Sequence, residues 1–249
     1  MAGLLGIGGG ALIVPVLVIV FETQGVDRSI TMQAALGTSL ATIVFTALSS
    51  VLAHHRRSAV RWAIVRRITP GIVIGGLLGA AIADVLPSRT LQIMFVIFMF
   101  AIAVQFGFGI LAATASRTLP GPVGMSLAGT AIGAASSLFG VGGGSMSVPF
   151  MTWCSVAVRQ AIATSAAIGL PIALSSTAGY IVAGWNDPRL PPWSVGYVVL
   201  PAFIGIVVAS ALAAPLGARL AHRLSETTLR RIFALFVAIL GVRMLWALL

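Results

Sequence analysis

The 249-residue sequence predicts an all-α polytopic membrane protein with about eight hydrophobic segments in two four-segment repeats. Hydrophobic residues make up 59% of the chain, charged residues 8%, and the mean hydropathy is +1.08. A soluble domain of this composition would expose large apolar patches. Most apolar stretches are near the ~20 residues that cross a bilayer core. They cover 1–21, 31–53, 68–86, 91–111, 123–153, 158–182, 195–216 and 229–249.

The first segment of each repeat carries the same glycine-rich motif. G-L-L-G-I-G-G-G-A-L-I-V-P-V runs from Gly3 to Val16, and S-L-F-G-V-G-G-G-S-M-S-V-P-F runs from Ser137 to Phe150. Each glycine costs roughly 1 kcal/mol in a helix relative to alanine. The motif therefore predicts a glycine-broken helix at an equivalent place in each repeat, the arrangement that marks a transporter's binding site. The predicted break and hinge residues are Gly6, Pro15, Gly140 and Pro149.

The later segments of the two repeats also match. In the second segments, A-L-G-T-S at 35–39 corresponds to A-I-A-T-S at 161–165. Pro70 and Pro201 are predicted to open the third segments. The fourth segments follow L-P-S-R-T-L at 86–91 and L-S-E-T-T-L at 224–229. We therefore expect one membrane domain made by internal duplication, with repeats at 1–118 and 119–249.

Charge between the segments predicts their orientation, because short arginine-rich loops stay in the cytoplasm. All fifteen basic residues are arginines, and five of them lie in the loop 54–67. In the second repeat the basic loop comes one segment later, at 219–231. Eight full crossings would make the repeats parallel and leave one basic loop outside. If the glycine-broken segments are re-entrant hairpins, the repeats are inverted and both loops are cytoplasmic. The sequence leaves re-entrant hairpins and full crossings both open, and the predicted inverted repeats require the hairpins.

The glycine motifs, together with nearby hydroxyls, predict an anion site. A broken helix presents free N–H groups at a helix end that carries partial positive charge. Hydroxyls can bind an oxyanion without the cost of burying a full charge. The predicted substrate-binding residues are Gly8, Gly9, Gly10, Thr38, Ser39, Gly142, Gly143, Gly144, Ser145, Ser147, Arg159, Thr164 and Ser165.

A purely structural interpretation of the same residues remains open. Small residues in membrane helices also permit close packing, and their hydroxyls often bond to the helix backbone. Arg159 would add positive charge for a dianion, or it would anchor a loop at the membrane interface.

The doubled G-x-G-G-G-x-x-x-V-P, with A-x-x-T-S in each half, resembles the TauE/SafE sulfite-exporter family, also called the sulfonate uptake permease family. The resemblance covers the whole chain. It implies a bacterial inner-membrane carrier for sulfite, sulfoacetate or other small organosulfonates, and members differ in substrate and direction. The matching positions are Gly6, Gly8, Gly9, Gly10, Pro15, Thr38, Ser39, Gly140, Gly142, Gly143, Gly144, Pro149, Thr164 and Ser165.

These features predict a secondary transporter that works by alternating access around a site near the bilayer midplane. Export is the easier direction, since an interior-negative potential drives each anionic charge outward by ~2.3 kcal/mol per 100 mV. An anion channel and an uptake carrier for a different small oxyanion are the alternatives.

Other classes of protein are disfavoured by the sequence. The sequence contains no H-E-x-x-H motif and no intramembrane nucleophile–base pair, so an enzyme is disfavoured. No cofactor is expected. Cys154 is the single cysteine, which excludes disulfides within the chain and cysteine-based metal sites. The sequence has no basic tail with interleaved aromatic residues, so nucleic-acid binding is disfavoured. The expected partners are a small organosulfur anion, the lipid bilayer and, as is common for small carriers, a second copy of the chain.

Overall fold

The computed structural model describes residues 9–55, 58–107, 118–223 and 226–248. Within these ranges the chain forms nine α-helices and one short antiparallel hairpin. The helices are α1 (Gly10–Thr23), α2 (Thr31–His55), α3 (Trp62–Val85), α4 (Ser88–Gly107), α5 (Pro122–Leu138), α6 (Gly144–Trp153), α7 (Val158–Ala183), α8 (Leu200–Arg223) and α9 (Glu226–Trp246). The hairpin strands are β1 (Ser194–Val195) and β2 (Val198–Val199), between α7 and α8.

The described helices include several that suit a membrane. Four are long and apolar enough to cross one, namely Thr31–His55, Trp62–Val85, Ser88–Gln105 and Val158–Ala183. Large apolar side chains such as Ile97, Leu212 and Leu235 are more than 60% exposed, which suits contact with lipid. The prediction of an all-α, multi-pass membrane protein is confirmed, while the number of eight segments stays a prediction.

The helix boundaries differ from the predicted segments at the third segment and subdivide the fifth. The third segment begins at Trp62, six residues before the predicted start, so Pro70 lies inside α3 and the prediction that it opens the segment is wrong. Arg66 and Arg67 lower the hydropathy of this first part, although it is helical. The fifth segment, 123–153, is divided into α5 and α6, as a glycine break predicts. The predicted seam between the two repeats covers 113–122, and half of it, 113–117, lies outside the described residues.

Glycines hold α3 tightly against α5 and α7. Gly71, Gly75 and Gly79 lie against the backbones of Ser126, Thr130 and Ala134, with no room for a Cβ at any of the three. The residue numbers rise together, so α3 and α5 run parallel. Gly76 meets the hydroxyl groups of Ser175 and Ser176, and Gly179 meets Ala80, so α7 runs parallel to both. Small residues permit this close approach of helix backbones.

Two further helix pairs run antiparallel. In the α2–α7 pair, Gly37 lies beside Tyr180 and Ala47 beside Gly169. In the α4–α9 pair, Gln92 Nε2 donates to the Met244 carbonyl at 3.5 Å, and Gly107 lies near Ala234. These directions bring the end of α2, the starts of α3, α7 and α9, and the end of α8 to one side of the bundle. We call this side the arginine face, because the helix ends that flank the arginine-rich stretches 54–67 and 219–231 lie there.

The opposite side, which we call the acidic face, holds a hydrogen-bonded network from several connections. Arg189 pairs with Asp187 (Nη2 to Oδ2, 2.6 Å) and donates to Ser29 Oγ at 3.0 Å. The Tyr197 hydroxyl donates to Asp84 Oδ1 at 2.8 Å. Hydrogen bonding from Arg189 lowers the pKa of Asp187 below its usual value. Burial is the largest cause that raises the pKa of Tyr197, and the hydrogen bond to Asp84 is the next. The hydroxyl therefore stays protonated and donates.

Candidate functional site

The chain breaks cleanly after α5. Gly140 takes the left-handed conformation (φ +57°). The Val141 amide donates to the Ser136 carbonyl at 3.0 Å, and the Gly140 amide donates to the Ser137 carbonyl at 3.2 Å. This pair of bonds is the Schellman motif, which ends a helix and favours glycine at the left-handed position. The sequence therefore ends α5 here for a local backbone reason.

After the break, the chain turns back toward the face it came from. Gly143 lies beside Ile172, and Ser147 Oγ lies 2.9 Å from Ser165 Oγ, so α6 runs antiparallel to α7. Because α5 runs parallel to α7, α5 and α6 form a helical hairpin. Its glycine tip lies beside the middle of the 26-residue helix α7. The fold thus places backbone groups freed by the break deep inside the helix bundle.

The hairpin tip concentrates hydrogen-bond donors. The first N–H groups of a helix have no intrahelical acceptor. Among the described residues, no acceptor is found for the amides of Gly142, Gly143, Gly144 and Ser145. The hydroxyls of Ser136, Ser137 and Ser145 are buried and have no partner in the described part of the chain. Amides at a helix start, with hydroxyls beside them, suit an oxyanion.

The start of α1 packs directly on this turn. Gly9 is left-handed (φ +79°) and precedes α1, which begins at Gly10. A Cβ at Gly10 would clash with the Gly140 carbonyl oxygen and lie 2.8 Å from Val141 Cα. Ser39 Oγ donates to the same carbonyl at 2.9 Å. Gly10, Ser39 and Gly140 therefore meet, and their membership of one binding site stays a prediction.

The two threonines of the T-S pairs make matching contacts. Thr38 Oγ1 accepts from the Val199 amide at 3.0 Å, immediately before α8. Thr164 Oγ1 accepts from the Arg61 amide at 3.0 Å, immediately before α3. Each threonine thus holds the start of the third helix of the other predicted repeat, and we call these bonds the crossed threonine caps. They favour the structural interpretation for these two hydroxyls.

The remaining predicted residues are placed as follows. Ser147 Oγ donates to the Gly143 carbonyl at 2.6 Å, which ties α6 to the hairpin tip. Pro15 and Pro149 lie inside α1 and α6, each as the sixth helical residue. Arg159 is exposed at the arginine face, and nine helical residues, or about 13 Å, separate it from Ile168 beside the tip. The structure does not bring Arg159 to the glycines. Gly6 and Gly8 lie outside the described residues.

Sequence reasoning missed other residues near the tip. Tyr180 is fully buried and its hydroxyl donates to the Ser137 carbonyl at 3.1 Å. Ser176 is fully buried beside Gly76, and its hydroxyl has no described partner. Ser49-Ser50 and Ser175-Ser176 stand at the same distance after the two T-S pairs, and this match is the sequence signal that could have found the position. Within the described residues, no group of three His, Cys, Asp or Glu side chains is placed to hold a metal ion.

A multi-pass helical bundle with a broken helix tip at its centre defines a class, the membrane transporters. Residues 1–244 match the family described as Sulfite exporter TauE/SafE, and the chain belongs to that family. A probable membrane transporter protein of Haemophilus influenzae is 35% identical over 98% of this chain and 92% of its own length. Probable membrane transporter proteins of Methanocaldococcus jannaschii and Bacillus subtilis are each 26% identical over 98% of this chain, and over 90% and 94% of their own lengths. No solved structure matches the chain.

Proposed function

We propose that the protein is a secondary transporter that exports small sulfur-containing anions, such as sulfite, sulfoacetate or other organosulfonates, across the bacterial inner membrane. The observation that carries the proposal is the α5–α6 hairpin tip, where amides without described acceptors lie beside buried, unpartnered serine hydroxyls. The family match supports the class of substrate.

The tip suits a small oxyanion for a physical reason. Amides and hydroxyls lose less on desolvation than a buried arginine, and they still donate to several oxygens. Gly142, Gly143 and Gly144 are buried and carry no side chain that would keep a ligand from the backbone. Sulfite and sulfonates present three oxygens, which matches a cluster of single donors. Weak binding by neutral donors also lets the ligand leave, as transport requires.

The helix directions support two inverted repeats, 1–118 and 119–249. The equivalent pairs α2–α7 and α4–α9 run antiparallel. Helices α1 and α6 begin at equivalent glycines, Gly10 and Gly144. With this arrangement both basic loops belong to one face, which would be cytoplasmic by the positive-inside rule. The glycine-broken segment of the second repeat is then a re-entrant hairpin.

The crossed threonine caps support alternating access. The Thr38 cap lies toward the acidic face and the Thr164 cap toward the arginine face. A carrier would loosen the contacts of one face while it keeps those of the other. Export follows from the membrane potential, which drives an anion outward without a coupling ion.

The test is flux of radiolabelled sulfite and sulfoacetate in proteoliposomes at a clamped potential, with unlabelled anion on the opposite side. Saturable flux that the opposite anion accelerates is expected from a carrier. Linear flux without that acceleration would favour the channel alternative, and flux of other oxyanions alone would replace the substrate class.

Gly143→Leu addresses the hairpin tip itself. A Cβ at this position already lies 2.6 Å from Ile172 Cδ1, so leucine would displace the tip. We expect loss of transport with membrane insertion retained. Gly205→Leu is the matched control, because nothing lies within 4 Å of a Cβ at Gly205. Wild-type flux in the Gly143 variant would remove the tip from the proposed site.

A further inference from the structure

A groove opens on the outside of the bundle, far from the hairpin tip. It lies where the acidic-face ends of α1, α4 and α9 meet, and its volume is about 510 Å³. Glu22, Gln92, Val242 and Arg243 line it near the helix ends, together with Met244, Trp246 and Ala247, and Val18 and Ile239 line it about one helical turn deeper. From Trp246 to Ile239 the groove follows seven residues of α9, or about 10 Å.

The charges in this groove are opposite in sign and unpaired. Glu22 and Arg243 are both exposed, and neither makes an ion pair within 4.0 Å with a described residue. Within the described ranges, the Arg189–Asp187 pair is the ion pair that forms. Two opposite charges that share a groove without meeting leave room for a ligand that carries both signs.

The depth of the groove fits a lipid at the membrane interface. A bilayer has a headgroup layer of about 5–8 Å on each side of its hydrocarbon core. A groove of about 10 Å that begins at the helix ends therefore spans the headgroup layer and enters the hydrocarbon. Glu22 and Arg243 lie about one helical turn nearer the helix ends than Val18 and Ile239, which is the order of a phospholipid headgroup and its acyl chain. Trp246 is 79% exposed at the mouth, as expected of an interfacial tryptophan.

We propose that this groove binds a phospholipid with a primary ammonium headgroup, of the phosphatidylethanolamine type. Arg243 pairs with the phosphate, and Glu22 accepts hydrogen bonds from the ammonium group. The first methylenes of an acyl chain lie against Val242 and Ile239. Glu22 sets the preference, because a choline headgroup has no N–H to donate and a glycerol headgroup has no positive charge.

The test measures lipid binding without transport, so its outcome is separate from that of the flux assay. The full chain is purified in detergent and titrated with phosphatidylethanolamine, phosphatidylcholine or phosphatidylglycerol of matched acyl chains. Bound lipid is counted by native mass spectrometry and the melting temperature is recorded. We expect a preference of about threefold to fivefold for phosphatidylethanolamine over phosphatidylcholine, a factor within the range that one hydrogen bond supplies.

Variants separate the two contacts. Glu22→Gln should abolish the preference between the two zwitterionic lipids, and Arg243→Gln should weaken both. Val242→Phe keeps both charges but fills the groove, and it should lower occupancy by every lipid. Arg231→Gln is the control, since Arg231 is exposed at the opposite end of α9.

Three results would overturn the proposal. The first is equal binding of the three lipids by the wild type. The second is a lipid preference that survives Glu22→Gln. The third is a wild-type dimer that Val242→Phe separates without any change in lipid binding, which would make the groove an interface between two copies of the chain.

Discussion

Replacing Thr38 with valine should lower the free energy of unfolding more than the equivalent replacement of Thr164. Valine keeps the shape of threonine but removes the hydroxyl that accepts from the Val199 amide. Thr38 is 0% exposed and Val199 is 5% exposed, so water cannot replace the lost acceptor. An unsatisfied buried N–H costs about 1–3 kcal/mol.

The Thr164 cap has a different environment. It holds the amide of Arg61, which is an exposed residue, so water can reach that N–H when the hydroxyl is removed. The loss is then the net value of one hydrogen bond, about 0.5–1.5 kcal/mol. Thr38→Val should therefore cost about twice as much stability as Thr164→Val. Both threonine-to-serine variants keep the acceptor and should stay close to the wild type.

Thermal unfolding of the four variants in one detergent is the assay, with tryptophan fluorescence as the signal. Flux in proteoliposomes is measured beside it, so that a stability loss is distinguished from loss of the site. If Thr38→Val and Thr38→Ser have the same melting temperature, the Thr38 cap contributes nothing to stability and the reasoning is refuted. Equal losses for the two valine variants would contradict the role given to burial.

Three other outcomes follow from the contacts described above. Gly10→Ala should destabilise the protein by about 1–3 kcal/mol, the usual cost of overpacking, because its Cβ meets the Gly140 carbonyl, whereas Gly205→Ala should be neutral or slightly stabilising in the same thermal assay. The native pKa of Asp187 is lowered by Arg189, so its contribution to stability is present above pH ~3.8 and is lost as the pH falls through the lower native value; Asp187→Asn should melt lower than the wild type at pH 7 and lose less on acidification, and parallel pH profiles would argue against this. Arg159→Gln should change the flux of a dianion and that of a monoanion by the same factor, because Arg159 is exposed and distant from the tip. A selective loss of dianion flux would restore Arg159 to the predicted site.

The sequence predicted the features that depend on local backbone chemistry. Three consecutive glycines are costly in a helix, so the break between α5 and α6 follows from the motif alone. The late start predicted for α3 was wrong because hydropathy reports apolar surface, and Arg66 and Arg67 are helical without being apolar.

Contacts between distant parts of the chain could not be predicted in this way. Thr38 meets Val199 across 161 residues, and no local pattern identifies that partner. Both motifs contain T-S at the same place, which signals equivalence but does not reveal that each threonine binds the other repeat. Arg159 was singled out by its charge, but position along α7 decides what it can reach.

The glycine contacts between α3 and α5 have a consequence for synthesis of the chain. Gly79 finishes its packing only when Ala134 and Ser137 are in place, and Ser137 is made 58 residues after Gly79. At about 5–20 residues per second, the ribosome needs roughly 3–12 s to make that stretch. During this time the glycine side of α3 faces lipid or the insertion machinery without its partner. Release of the chain before α5 is complete would leave an unpaired helix, so truncated products ending near residue 118 should be targets for membrane proteases.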